Sequence, residues 1–356
     1  METCVYPEIF LIKKVYCAGY NTLGARQKLR SKKMINLYWP IYKNLEKEIV
    51  ELSDLIHFDD QQLNVYSVKI SELLIRCSVE IEAIAKDLYL QNGGTKENNN
   101  DLFFDTDCLD FLEEKWDLSK KKIIVSSSNF FFTNSNNRIF TPLNKANKRG
   151  SSGSKWKKAY QAVKHNRTTN LQKGNLENLL KATGALFLLN LYYRNDTFEL
   201  KKINNADFAE NLSNIFNVKV HTWRGDDKRK GSYVKKEDFE ECVYLVKWTD
   251  DYKSKMNTFS IEQNKHLNEL IFKHPKISNY INNNLVEEGK IKQAEFTKFI
   301  EKREYFKLLD MEKEYAPMIN LAAQKAKEKL NFDWFSPSEF EGILNKKQQI
   351  YRLPSP

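Results

Sequence analysis

LENLLKATGALFLLNLYY, residues 176–193, is the stretch that decides the fold. Placed at about 100° per residue, its apolar positions Leu179, Leu180, Ala182, Ala185, Leu186, Leu188 and Leu189 fall on every side of a helix. The spacing predicts a helix with no solvent face, the most buried element of the first domain. Asn175 precedes it as the expected N-cap. The longest strongly apolar run, Ala185 to Tyr193, is interrupted by Asn190 and falls far short of the roughly 20 residues a membrane-spanning helix needs.

Upstream, two amphipathic helices are expected at 33–58 and 66–90. The first carries Leu37, Ile41, Leu45, Ile49, Leu52, Leu55 and Ile56 every three or four residues, with Pro40 starting or kinking it. The second places Ile70, Leu73, Leu74, Cys77, Ile81, Ile84, Ala85 and Leu88 on one stripe, and Asn92-Gly93-Gly94 stops it. A short helix is expected at 109–116. Ile123-Ile124-Val125 and Phe130-Phe131-Phe132, separated by four polar residues, predict a small hairpin. The loop 149–154 then leads into a short helix at 155–164, capped by Ser154. Beyond Thr197 the pattern suggests a helix at 207–216, strands at 218–223 and 242–248, and helices at 261–283, 290–330 (interrupted near Pro317) and 337–350. The fold class expected is mainly α, formally α+β. An irregular lead at 1–32 precedes a helical domain at 33–220 with a basic β/loop insertion at about 118–154, and a mostly helical module follows at 221–356.

Composition restricts the setting. The chain has 356 residues, 41% of them hydrophobic and 29% charged, which places it among globular proteins and outside the disordered regime. Residues 1–14 show no secretion pattern. The five cysteines are scattered, odd in number and never spaced Cys-x-x-Cys, which suggests reduced thiols in a cytoplasm, and the five histidines form no ligand pair with them. No metal, no cofactor and no membrane association are expected.

Charge is distributed unevenly. The net +10 comes from one window, 118–176, which contains no Asp or Glu but holds thirteen basic residues: Lys120, Lys121, Lys122, Arg138, Lys145, Lys148, Arg149, Lys155, Lys157, Lys158, Lys164, Arg167 and Lys173. Elsewhere acids slightly outnumber bases. Basic loops are often only solvated surface. A window this long without a compensating acid nevertheless predicts a positive field whose natural partner is RNA or another polyanion.

Chemistry concentrates at Trp156–Arg167, WKKAYQAVKHNR. Trp156, Tyr160 and Val163 share a helix face and can anchor it, leaving Lys164, His165, Asn166 and Arg167 where the helix ends. Cations at a helix C-terminus have a purely structural rationale, because the last carbonyls are unpaired. The same types also suit RNA cleavage by 2′-hydroxyl attack, with His165 moving the proton, Arg167 stabilising phosphoryl oxygens, and Asn166 and Lys164 positioning the phosphate. Glu80, on the flank of the second helix's stripe, is the expected carboxylate partner of Arg167 or His165; the alternative is that it reaches water.

Tyr66-Ser67, Ser71-Glu72-Leu73-Leu74, Glu80-Ile81 and Ala85-Lys86, taken with Trp156, Ala159-Tyr160 and Val163-Lys164-His165-Asn166-Arg167 and the 176–193 helix, resemble HEPN-like proteins of bacterial anti-phage and abortive-infection systems. The resemblance spans about 33–220. It implies a compact helical bundle, homodimerisation and, in active members, metal-independent endoribonuclease activity. Here His165 precedes Arg167, reversing the family's Arg-to-His order. The expectation is an RNA-engaging defence protein, with catalysis at His165, Arg167, Asn166 and Glu80 and binding by Lys164 and the other basic residues of 120–158. Two rivals accompany it: a non-catalytic module that senses nucleic acid or a phage protein, and an assembly subunit in which the Lys-His-Asn-Arg turn merely clamps a helix end.

Overall fold

The computed structural model describes residues 36–96, 101–200, 212–221, 226–227, 232–233, 237–287, 289–301, 305–332 and 340–347. From Tyr38 onward they belong to one compact unit. The lead expected at 1–32 and the first half of the helix expected at 207–216 lie outside them; residues 212–216 are not helical and run into the strand Phe216–Val218. The described chain is mainly helical, with several small sheets. Its helices are α1 (Tyr38–Ser53), α2 (Val68–Gln91), α3 (Asp110–Trp116), α4 (Ser135–Arg138), α5 (Lys155–His165), α6 (Arg167–Asn170) and α7 (Leu176–Arg194), then α8 (Asp250–Lys273), α9 (Pro275–Tyr280), α10 (Gln293–Glu301), α11 (Tyr305–Leu308) and α12 (Glu312–Leu330). None is long and apolar enough to cross a membrane.

Helix α7 is buried along almost its whole length. Asn175 caps it, its side chain accepting from the Asn178 N–H, and Asn195 ends it in the left-handed region at φ 51°. Helices α1, α2 and α5 pack around it. Ser67 caps α2 through the Ile70 N–H, and the α2 stripe from Ile70 to Leu88 meets α7. Close approach at the start of the pair depends on Gly174: a Cβ there would lie 2.2 Å from Ser71 Oγ and 3.1 Å from Ser71 Cα. Farther along, Gly184 gives Ile123 and Phe140 room to rest on α7.

The strands depart from expectation. Ile123–Val125 and Phe130–Phe131 do not form a hairpin. The first lies between Ile139–Phe140 and Phe216–Val218, antiparallel to both, whereas the second pairs in parallel with Phe58–Asp59. The cause is Asp60, whose carboxylate accepts from Thr133 N–H (2.9 Å), Thr133 Oγ1 (2.7 Å), Asn134 N–H (3.0 Å) and Asn137 Nδ2 (2.8 Å). These bonds hold 130–137 against 58–60 and away from 123–125.

A four-stranded sheet runs in the order Phe198–Leu200, Phe340–Leu344, Tyr244–Trp248, Val220–His221. The helix expected at 337–350 is thus a strand at 340–344, antiparallel to Tyr244–Trp248. Because this sheet contains 198–200 as well as 244–248 and 340–344, it crosses the boundary expected at 220, and Val243, Tyr244, Val246 and Leu344 join the α7 core. The helices after 248 build separate small cores, one around Ile271, Ile277, Phe299 and Met311, the other around Phe259, Ala326 and Phe332. The span expected as one helix at 290–330 is a short strand at Lys290–Ile291 followed by α10, α11 and α12, with Pro317 inside α12.

Gly174→Ala is expected to destabilise the fold by about 1–3 kcal/mol, because the added methyl meets Ser71 backbone as well as side chain. Chemical denaturation should show part of this loss recovered in Gly174→Ala/Ser71→Gly, where Ser71 Oγ and Cβ are gone.

Candidate nucleic-acid interface

Helix α5 is fixed by its buried face. Trp156, Ala159, Tyr160 and Val163 are buried, and Trp156 Nε1 donates to Pro142 O at 3.0 Å. Ser154 stands at the N-cap in extended conformation, but its hydroxyl makes no capping bond; its Oγ is buried without a partner among the described residues. The helix ends at His165, and Asn166 Oδ1 caps the following turn by accepting from the Thr169 N–H at 3.3 Å. Lys164, His165, Asn166 and Arg167 are all exposed.

The window without acids in sequence is well supplied with them in space. Lys157 is buried, and its ammonium donates to Asp105 Oδ2 (3.0 Å), Ala146 O (2.9 Å) and Lys148 O. Arg149 grips the same carboxylate through Nε (2.9 Å) and Nη2 (2.8 Å) while lying 4.0 Å from the Phe103 ring centroid. Burial pushes the Asp105 carboxyl up, but the Arg149 and Lys157 hydrogen bonds outweigh it and hold it below the usual carboxylate range. Lys148 pairs with Asp110 (3.2 Å), Lys120 with Glu240 (3.1 Å), Lys122 with Glu241 (2.6 Å) and Lys155 with Glu177 (3.9 Å). Lys121 is buried, its Nζ donating to Glu240 O at 2.8 Å. Lys121 and Lys157 therefore cannot form part of a binding surface, and Lys120, Lys122, Lys148, Arg149 and Lys155 are occupied by carboxylates from segments outside the window.

Six cations of the window remain exposed, with no described carboxylate within 4 Å: Arg138, Lys145, Lys158, Lys164, Arg167 and Lys173. They are not all together. Arg138 ends α4, on the segment that Asp60 holds, and Lys145 belongs to the turn before α5, where its carbonyl accepts from Ser154 N–H. The other four follow α5 and its exit. Lys158 and His165, seven residues apart, share one helix stripe. Lys164 Nζ lies 5.3 Å from the Tyr160 ring centroid, Arg167 opens α6, and Lys173 is in a turn that packs beside α5.

Glu80 is not part of this group. Burial raises its carboxyl pKa, Arg76 pulls it down, and it acts electrostatically on Tyr38 and Cys77. The carboxylate within electrostatic reach of Lys164 and Tyr160 is Glu82. Two residues along a helix is about 200°, so Glu80 and Glu82 serve opposite sides of α2. Lys173 is the further cation that belongs with the turn; its signal in the sequence was its place in the acid-free window. Among the described residues no three His, Cys, Asp or Glu side chains stand close enough to share a metal ion.

The Asp105 carboxyl titrates lower in the fold than in the unfolded chain. Its contribution to stability is whole above the usual aspartate value of about 3.9 and is lost as pH falls through the folded value. Asp105→Asn is expected to cost about 3 kcal/mol at pH 7, low for a broken buried pair because Arg149 remains half-exposed. Denaturation at a series of pH values should show that cost shrinking below pH 4. Compared with protein-family models, curated proteins and solved structures, the chain matches none.

Proposed function

We propose that the chain is an RNA-engaging protein whose contact surface is the end of α5 and the turn that follows it. One observation carries this: Lys158, Lys164, Arg167 and Lys173 are exposed along α5 and the turn after His165, and no described carboxylate lies within ion-pair distance of any of them, Lys158 Nζ donating only to Ser151 O at 3.2 Å. An unpaired surface cation costs the fold little and is available to a phosphate. Most of the remaining basic window is buried or paired with carboxylates, so that, Arg138 and Lys145 apart, its free charge lies on α5 and its exit. The exposed imidazole adds a flat group for stacking on an unpaired base. Assignment to a HEPN-like, anti-phage role rests on the residues of 33–220 that resemble that group, and homodimerisation rests on the same resemblance.

Metal-independent RNA cleavage is the second reading, favoured by the exposure of His165 and Arg167 two residues apart on one turn. In this reading His165 accepts the 2′-hydroxyl proton, Arg167 stabilises charge on the phosphoryl oxygens, and Lys164 holds the phosphate. Asn166 is engaged in capping α6, and Glu80 makes no described hydrogen bond or ion pair with His165 or Arg167, so this reading gives neither a direct part.

For four phosphate contacts to single-stranded RNA, affinity measured by fluorescence anisotropy should fall roughly fifty-fold between 50 and 200 mM salt. The Lys164→Glu/Arg167→Glu variant should bind at least ten-fold more weakly with its melting temperature unchanged, since both side chains are exposed. Affinity insensitive to salt, or unaltered in that variant, would remove the RNA reading and favour a protein partner. In EDTA and with protein in excess so that the RNA stays bound, His165→Ala should abolish any cleavage; binding with no cleavage by the unaltered chain removes the catalytic reading alone.

A further inference from the structure

A second site, unrelated to the turn at His165, surrounds Lys121. A cavity of about 190 Å³ is lined by Asp117, Lys121, Phe239, Glu240, Asn345 and Lys347. Most of its polar groups already have partners. Asn345 Nδ2 donates to Phe239 O (2.6 Å) and Cys242 O (3.0 Å), and Asn345 Oδ1 accepts from Lys347 N–H (3.2 Å). Lys347 Nζ pairs with Asp117 at 2.8 Å and donates to Glu114 O, while Lys120 lies 3.1 Å from Glu240 and 3.9 Å from Asp117. Lys121 is the exception. It is 1% exposed, its Nζ has a single acceptor, Glu240 O, and no described carboxylate lies within 4 Å.

An ammonium carries three donors, so this one is buried with two of them unmet. Desolvation by burial is the largest influence on it; Asp117, Cys242, Glu240 and Glu113 pull the other way, and the balance brings its pKa down to about 8. Near neutral pH its neutral amine is then more abundant than that of an ordinary lysine by on the order of a hundred-fold. The carboxylates of Asp117 and Glu240 in the wall discourage a free anion and are no obstacle to an uncharged electrophile.

We propose that Lys121 is a nucleophilic amine that captures small uncharged aldehydes or ketones in this cavity as an imine. The Nζ lone pair attacks the carbonyl carbon and the carbon–oxygen π pair moves onto oxygen. A proton passes from nitrogen to that oxygen through solvent and gives a carbinolamine. Its hydroxyl is then protonated and leaves as water while the nitrogen lone pair forms the C=N bond and nitrogen releases its remaining proton. Amine and carbonyl compound become imine and water, with no oxidant or reductant. The carbonyl of Glu240 holds the amine by one N–H, which fixes where the lone pair can point.

The test uses the full chain with propionaldehyde and sodium cyanoborohydride, whose hydride converts the imine to a stable propyl amine, followed by peptide mapping. At pH 7 the Lys121 peptide should be alkylated at least ten-fold faster than those of the exposed Lys158 and Lys173. Its rate should level off above about pH 8, while theirs continues to rise toward pH 10. Lys121→Arg should lose the fast adduct and keep the slow ones. Labelling of Lys121 no faster than of exposed lysines, or a rate that climbs to pH 10, overturns the proposal. The pH profile of the unaltered chain decides it even if the arginine variant fails to fold.

Discussion

Helix α7 offers no side to water, and the rest of the described fold answers to that. A helix apolar all round must be enclosed by neighbours that each contribute one apolar face. Helices α1, α2 and α5 do so with single stripes, and the strand Ile123–Val125 covers the remaining side at Gly184. Two glycines set how near those neighbours come, one under Ser71 and the other under Ile123. The donors within the enclosure are matched locally: Thr183 Oγ1 donates to Leu179 O, and Asn190 Nδ2 to Leu186 O, both one turn back along the same helix, while Asn190 Oδ1 has no partner among the described residues.

Electrostatics follows the enclosure. A stretch of chain that bears only positive charge is a poor guide to a positive surface, because the groups that oppose it arrive from distant segments. Asp105 takes both Arg149 and Lys157, Glu240 and Glu241 come from more than a hundred residues away, and Glu177 belongs to the central helix. Among the described residues of the basic window, the cations without a carboxylate partner are Arg138, Lys145 and the four on α5 and its exit. The position of that last group is set by Trp156, Tyr160 and Val163 on the opposite face of α5.

Local information was legible. The α1 and α2 stripes, the caps at Ser67 and Asn175, the Asn92-Gly93-Gly94 stop and the burial of 176–193 all depend on residues within a few positions of one another, and periodicity reports those directly. Partnership across distance was not. Ile123–Val125 and Phe130–Phe131 have strand-forming residues, but what each pairs with depends on Asp60, Phe58 and Phe216. Phe340–Leu344 has few local cues separating strand from helix, and only its neighbours Phe198–Leu200 and Tyr244–Trp248 determine the outcome. At the interface, the turn of His165 and Arg167 was legible because a helix ends there. Glu80 was misplaced because a burial stripe gives a helix's inward side without saying which neighbour lies along each flank.

The strand Phe340–Leu344 occupies the interior of its sheet, between strands that leave the ribosome much earlier. Until translation delivers it, Phe198–Leu200 and Tyr244–Trp248 have no ladder between them while the intervening residues 249–339 are made. During that interval two strand edges are open, a state in which a chaperone, or another copy of the same segment, could occupy the vacant slot.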